Sequence, residues 1–270
     1  NTKLYTGNGS TQSITGVGFQ PDFTWLKSRN NTYDNFLYDA VRGQGKYLQS
    51  NRTSAEADTD QMTSFDSDGY TVGVTGGVAT NGSGSTMASW NWKANGAGSA
   101  NTAGSINSTV SASATSGFSI VSYTGTGSLA TVGHGLGVAP AMIIIKNRST
   151  TNGWEVYHQS LGNTKYMQLH TTSAEGTSAT RWNNTSPTST VFTVNTEGGV
   201  NSSGGNLIAY CFSEVKGYSK FSSYTGNGNA DGTFVYLGFK PAFVMLKNTT
   251  TAASWLMYDN KRLGYNVDNN

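Results

Sequence analysis

One phrase is written three times along this chain. Residues 5–27 read Tyr-Thr-Gly, then Gly-x-x-Pro, then a short apolar run closed by lysine, and residues 123–146 and 224–247 repeat that order. Gly18, Pro21 and Lys27 recur as Gly137, Pro140 and Lys146, each 119 residues on, and as Gly238, Pro241 and Lys247, a further 101 on. Three of the four prolines therefore hold one equivalent position. A period of about 100 residues is the size of one ordinary domain, so whatever the first copy folds into, the others must fold into as well.

The match runs beyond that phrase. Lys46-Tyr47-Leu48-Gln49 returns as Lys165-Tyr166-Met167-Gln168, and Thr53-Ser54-Ala55-Glu56 as Thr172-Ser173-Ala174-Glu175, at the same offset. Phe65 matches Phe192 at an offset of 127, which implies a small insertion in the second copy, and Trp90-Asn91-Trp92 aligns with Tyr210-Cys211-Phe212. The divisions that follow are a first repeat over 1–93, a linker over 94–117, a second repeat over 118–217 and the first half of a third over 218–270. The linker is expected to be flexible or extended because it is almost wholly Ala, Gly, Ser, Thr and Asn. The third copy has no counterpart of the Phe65 or Trp90 segments, and half a unit cannot bury its apolar face alone. The polypeptide is accordingly expected to continue beyond Asn270.

Short β-rich runs recur at matching places: Phe23–Leu26, Met142–Ile145 and Phe243–Leu246, each followed after a polar loop by a second run such as Trp154–Tyr157 or Trp255–Tyr258. Asn-Gly pairs punctuate the chain, and no helical periodicity stands out. The fold class expected is all-β, as tandem antiparallel, jelly-roll-like β-sandwich repeats.

Charged residues make up 12 % of the chain against roughly 25 % in typical soluble domains, and the net charge is only +2. Hydroxyls and amides solvate such a surface, as in virion, secreted and adhesive β proteins. No Lys/Arg cluster offers a nucleic-acid face, and no apolar run approaches the ~20 residues of a spanning helix. Nucleic acid and membrane insertion are therefore not expected. Cys211, the single cysteine, allows no intrachain disulfide and reads as a small residue on a strand face, which suits a protein that folds in a reducing cytoplasm before release.

Candidate chemistry is sparse. His134, His158 and His170 all lie in the second copy, lack metal-ligand spacing, and read as surface or loop histidines; His158 stands where the other copies have Asp39 and Asp259. Asp66 and Asp68, one residue apart before Gly69, are the best calcium candidate, with a plain Asp-Gly turn as the simpler reading. Glu56, Asp58 and Asp60 alternate on a polar stretch and read as a solvated edge more readily than as a glycosidase pair. Trp25, Trp90, Trp92, Trp154 and Trp255 recur at strand positions and read as core. Trp182, inside the variable stretch, is the expected exposed aromatic and the candidate for stacking on a glycan.

The phrases Tyr5-Thr6-Gly7-Asn8-Gly9-Ser10, Gly18 to Lys27, Phe65-Asp66-Ser67-Asp68-Gly69-Tyr70 and Tyr210 to Phe221 resemble a repeat family of virion proteins from tailed phages, marine ones especially, over essentially the whole chain. That family is mostly described without a defined activity and supplies no catalytic residues. The resemblance implies a non-enzymatic virion structural protein, a tail fibre or tail-associated appendage that presents a host-facing surface. No cofactor is expected, and calcium at Asp66 and Asp68 is the one alternative, read from those residues and not from the resemblance. The expected partners are other virion proteins, further copies of itself in a trimer, and a host-surface glycan. A glycan-binding adhesin and a head decoration protein are the alternatives, with a polysaccharide-degrading enzyme a distant third.

Overall fold

The computed structural model describes residues 1–73 and 78–262. It is nearly all β. The first copy supplies β1 (Thr2–Thr6), β2 (Gln12–Thr15), β3 (Phe23–Ser28), β4 (Phe36–Asp39), β5 (Lys46–Gln49), β6 (Ala57–Asp58), β7 (Met62–Asp66), β8 (Gly69–Val72) and β9 (Thr86–Trp92). Next come β10 (Ser99–Asn101), β11 (Ser108–Ser113), β12 (Phe118–Thr124), β13 (Ala130–Gly133), β14 (Met142–Asn147), β15 (Trp154–His158), β16 (Lys165–Gln168) and β17 (Gly176–Thr177). Two single-turn helices, α1 (Ala179–Trp182) and α2 (Gly198–Asn201), flank β18 (Val191–Val194), and β19 (Asn206–Phe212) closes the second copy. The third copy contributes a hairpin, β20 (Phe243–Leu246) and β21 (Leu256–Asp259).

The two full copies share one antiparallel design. The first large sheet runs β1-β9-β3-β4-β5-β6, and the second contains β12-β19-β14-β15-β16-β17 in the same order. Register repeats too: Trp25 faces Trp90 across β3 and β9, and Ile144 faces Tyr210 across β14 and β19. Each large sheet is covered on one face by a smaller one, β2-β8-β7 in the first copy and β13-β18 in the second. The repeated glycine before each proline has a backbone reason. Gly18, Gly137 and Gly238 sit at φ of +88°, +75° and +81°, a left-handed turn that a side chain would strain.

Residues 94–117, expected as a linker, carry β10 and β11. β11 pairs with β12 over six residues, from Ser108 opposite Tyr123 to Ser113 opposite Phe118, and extends the second sheet to eight strands. Small hydroxylated residues look like linker by composition, but a ladder is made by the main chain, and Val110 and Ser111 are buried in it. The matching of Phe65 with Phe192 is also corrected. Tyr5 makes an edge-on ring contact with Tyr70, and its counterpart Tyr123 makes the same contact with Phe192, so Tyr70 on β8 is the equivalent of Phe192 on β18.

Three apolar clusters hold the molecule. One lies inside the first sandwich, around Ile14, Leu26, Tyr38, Tyr70 and Val72. A second lies inside the second sandwich, around Tyr123, Ile143, Ile145, Trp182 and Phe192. The third sits between copies: the outer faces of the two large sheets pack back to back through Phe23, Trp25, Trp90, Phe118, Ile144, Trp154 and Tyr210. Phe243, Met245, Trp255 and Met257 of the third copy join it. The central strands are therefore covered on both faces, which is why β14 is buried from Met142 to Asn147 and opens on an unbroken apolar run, Met142 to Ile145.

Candidate functional site

The residues that the copies have in common converge on the seams between copies. At the seam of copies one and two, the Asn152 amide donates to the Thr53 carbonyl (3.0 Å) and the Glu56 amide donates to the Arg148 carbonyl (2.9 Å). The Trp154 indole N–H reaches the carbonyls of Gln49 (2.9 Å) and Arg52 (3.2 Å). Lys146, fully buried at the end of β14, donates from Nζ to the carbonyls of Thr53 (3.2 Å), Asn147 (2.6 Å) and Thr150 (3.4 Å). Burial pushes its ammonium down to about 8. Its hydrogen bonds satisfy a cation that desolvation would otherwise make costly.

The seam of copies two and three repeats this pattern residue for residue. Ala253 donates to the Thr172 carbonyl (2.8 Å), Glu175 to the Thr249 carbonyl (2.9 Å), Trp255 Nε1 to the Gln168 carbonyl (3.0 Å) and Lys247 Nζ to the Thr172 carbonyl (3.0 Å). The recurring lysine and tryptophan are thus docking groups. Each lies at or beside a strand terminus of one copy and donates to carbonyls of the copy before it.

A second device recurs in the first and third copies. Asp39 accepts from the Arg42 amide (2.8 Å) and from the Arg42 guanidinium, and the Tyr210 hydroxyl of the second copy donates to the same carboxylate at 2.7 Å. All three side chains are buried. The Asp39 and Asp259 side chains are both fully buried, and Asp259 accepts from the Arg262 amide (3.0 Å), from Arg262 Nε (2.6 Å) and from Trp90 Nε1 of the first copy (3.2 Å). Burial alone would raise the Asp259 carboxyl, but the amides of Lys261 and Arg262 and the Arg262 charge outweigh it and hold it low. The Arg262 guanidinium lies 5.1 Å over the Trp90 ring. Copy two thus docks on copy one, copy three on copy two, and copy one on copy three, so the contacts close a ring.

The seam of copies one and two carries an extra charge network. Glu56 receives Arg148 through two bonds of 2.8 and 2.7 Å and Arg42 at 3.2 Å. Burial would raise the Glu56 carboxyl, but hydrogen bonds and charge from the two arginines hold it below its ordinary value. The expected solvated row is therefore split. Glu56 is bound into the seam, while Asp58 and Asp60 line a cleft of about 330 Å³ beside Gly43, Gln44 and Lys46. Asp-x-x-Arg recurring at 39 and 259 was the sequence signal for this seam chemistry.

Trp182 is not exposed: 2 % of it meets solvent, its ring meets Tyr157 edge-on and its indole N–H donates to the Lys165 carbonyl (3.0 Å). The short helix that carries it folds the variable stretch inward, because an aromatic of that size gains more from burial in the second sandwich than from water. No stacking surface is left for a glycan at that residue. Asp68 binds the Gly16 and Gly18 amides (2.8 and 2.6 Å), which lower its carboxyl, and Asp66 accepts from Thr71 (2.8 Å). Among the described residues, no three His, Cys, Asp or Glu side chains gather as metal ligands.

The histidines, expected at the surface or in loops, each accept from a backbone amide. His134 is fully buried, with Nδ1 accepting from the Leu136 amide (3.3 Å) and Nε2 facing the Thr188 carbonyl (3.2 Å). His158 Nδ1 accepts from the Ser160 amide and His170 Nδ1 from the Trp154 amide. Burial lowers all three below the ordinary imidazole value.

A family model described as a domain of unknown function (DUF7483) matches residues 1–270, and the chain belongs to that family. No curated protein and no solved structure matches it.

Proposed function

We propose that this DUF7483 member is a non-enzymatic structural protein of a virus particle, a tail fibre or tail-associated appendage whose sandwiches hold a host-facing surface away from the particle. The observation that carries this reading is the use made of the shared residues. The tryptophans, the strand-end lysines and the Asp-x-x-Arg pairs join one copy to the next. A chain that spends its recurrent polar groups on cohesion suits a mechanical or presenting role. The low charge, the single buried thiol and the resemblance to phage virion repeats support the same reading. Its partners are other virion proteins and further copies of itself in a trimer, where avidity across copies multiplies weak contacts with the host surface.

Immunogold electron microscopy of purified virus particles, with antibody raised against residues 1–217, tests this directly. Label along the distal tail is the expected result. Label over the head would replace the appendage with a decoration protein, and particles that carry no label would remove the virion reading. A glycan array on the intact chain tests the host-facing surface, and binding there must survive Trp182→Phe because that side chain is internal.

A further inference from the structure

We propose that the outer edge of β20 is an acceptor site for one partner strand, an extended segment with a small-aromatic-x-aromatic pattern that docks antiparallel to β20. The equivalent edges in the other two copies are filled in this way. β3 receives β9 (Met-Ala-Ser-Trp-Asn-Trp) and β14 receives β19 (Leu-Ile-Ala-Tyr-Cys-Phe), with Trp25 opposite Trp90 and Ile144 opposite Tyr210. In the third copy, among the described residues, β20 pairs with β21 on one side only.

The polarity of that edge follows from its counterparts. The Asp22 amide donates to the Trp92 carbonyl at 2.9 Å and the Ala141 amide to the Phe212 carbonyl at 2.7 Å. The residue at this place in the third copy is Ala242, whose carbonyl accepts from Asn260 on the β21 side (3.1 Å). The N–H and C=O of one residue face the same neighbouring strand and the side alternates along the chain, so Val244 and Leu246 direct theirs to Tyr258 and Leu256 of β21, whereas Phe243 and Met245, the counterparts of Phe23 and Trp25, direct theirs away from β21. Phe243 and Met245 already pack on the shared core, with Phe243 ring centres 6.1 Å from Trp90 and 5.7 Å from Trp92. An incoming strand in the common register places one aromatic opposite Met245 and the next opposite Phe243. The first of these meets His158, the residue that stands where Asp39 and Asp259 receive Tyr210 and Trp90. Continuity with the shared core selects this occupant over an arbitrary peptide.

The residues that such a strand would bring to order are now in solvent. Tyr224 is 52 % exposed, whereas its counterpart Tyr123 is 3 % exposed on β12. Phe234 is 85 % exposed, whereas Ile14 at the equivalent place is 3 % exposed inside the first sandwich. β1 pairs with β9 and β12 with β19, so the matching segment around Tyr224, which has no paired strand among the described residues, would gain one when the middle strand is supplied.

The probe is a fluorescein-labelled peptide with the sequence of Thr86–Trp92 and a polar tail, titrated with the intact chain and followed by anisotropy. Saturable binding of one peptide per chain is expected, at least tenfold weaker when alanine replaces the tryptophan at the position of Trp90. Met245→Pro in the chain removes one outward amide, spares the amides that face β21, and should weaken binding at least tenfold. Should that variant fold poorly, a peptide N-methylated at the amides that face β3 in the parent strand makes the same test on the wild-type chain, and binding must then be lost. Absence of saturation, or equal binding by the blocked edge or the methylated peptide, overturns the proposal. So does a dimer of the chain in light scattering that the peptide fails to dissociate, because the edge would then belong to a second copy.

Discussion

The seam between copies one and two and the seam between copies two and three share their docking bonds to main-chain carbonyls but differ in their ion pairs. Asn152, Trp154 and Lys146 do at the first what Ala253, Trp255 and Lys247 do at the second. Only the first has Asp39 and Arg42 beneath it and Glu56 clasped by Arg148; the second has His158, Leu161 and Thr249 in those places. The recurrent seam is thus a backbone device, which tolerates sequence drift because carbonyls and amides do not change with the residue. The ion network is a local addition, and buried charges of that kind hold a register more than they add net stability.

Breaking that network should give the largest effect. Arg42→Ala leaves Asp39 buried without its cation and should cost about 3–5 kcal/mol, read as a fall in the urea midpoint of tryptophan fluorescence. Leu161→Ala at the equivalent place of the other seam, where the side chain is half-buried, should cost well under half as much.

The comparison can be sharpened by transplanting the device. His158→Asp alone should destabilise by about 1–3 kcal/mol, because the new carboxylate would lack a cation. Adding Leu161→Arg should recover most of that loss, and a double-mutant cycle measures the coupling. A coupling near zero would show that the pair needs its aromatic donor, Tyr210 or Trp90, to form.

Removing one docking bond from each seam comes next. Trp154→Phe should cost about 1–1.5 kcal/mol and Trp255→Phe less, since Trp154 is fully buried and Trp255 is not.

Acid should separate the seams by pH. Glu56 is held below its ordinary value of 4.5, so its contribution is present above 4.5 and is lost as pH falls through the lowered folded value. His158 is held below 6.5 by burial, which the Glu214 charge only partly offsets, so its contribution is full above 6.5 and is lost as pH falls below it. Glu56→Gln should flatten the lower limb of a stability profile, and His158→Phe the upper one.

The smallest effect concerns chemistry at the aligned middle strands. Cys211 stands where the first copy has Asn91, and burial pushes its thiol up to about 12. A disulfide reagent at pH 8 should not label the folded chain, and labelling should track urea unfolding. Fast labelling in buffer would mean that β19 opens independently of its neighbours.

Part of the seam was legible beforehand. The strand-end lysines, the x-x-Tyr after Trp154 and Trp255, and the substitution of His158 for Asp39 and Asp259 were all visible in the alignment of the copies. Their roles were not, because a carbonyl acceptor such as Gln49 or Thr53 leaves no mark on residue identity. β11 was missed for the same reason, its ladder being main chain under small side chains. Trp182 misled because a variable stretch reads as surface until the packing around Tyr157 is known.

By itself the sequence determined what short-range chemistry can write: the repeat, the antiparallel strands, and the glycines that must take a left-handed turn at 18, 137 and 238. It also contained a clue to the rest, since unbroken apolar runs such as Met142–Ile145 belong to strands covered on both faces. Only the tertiary structure decided what covers the second face. Back-to-back packing of the large sheets and the ring of seams join residues up to 171 positions apart, as Tyr210 and Asp39 are. Backbone conformation is set by neighbours in the chain, but a shared core is selected by the summed burial of distant surfaces, and no local pattern encodes that sum.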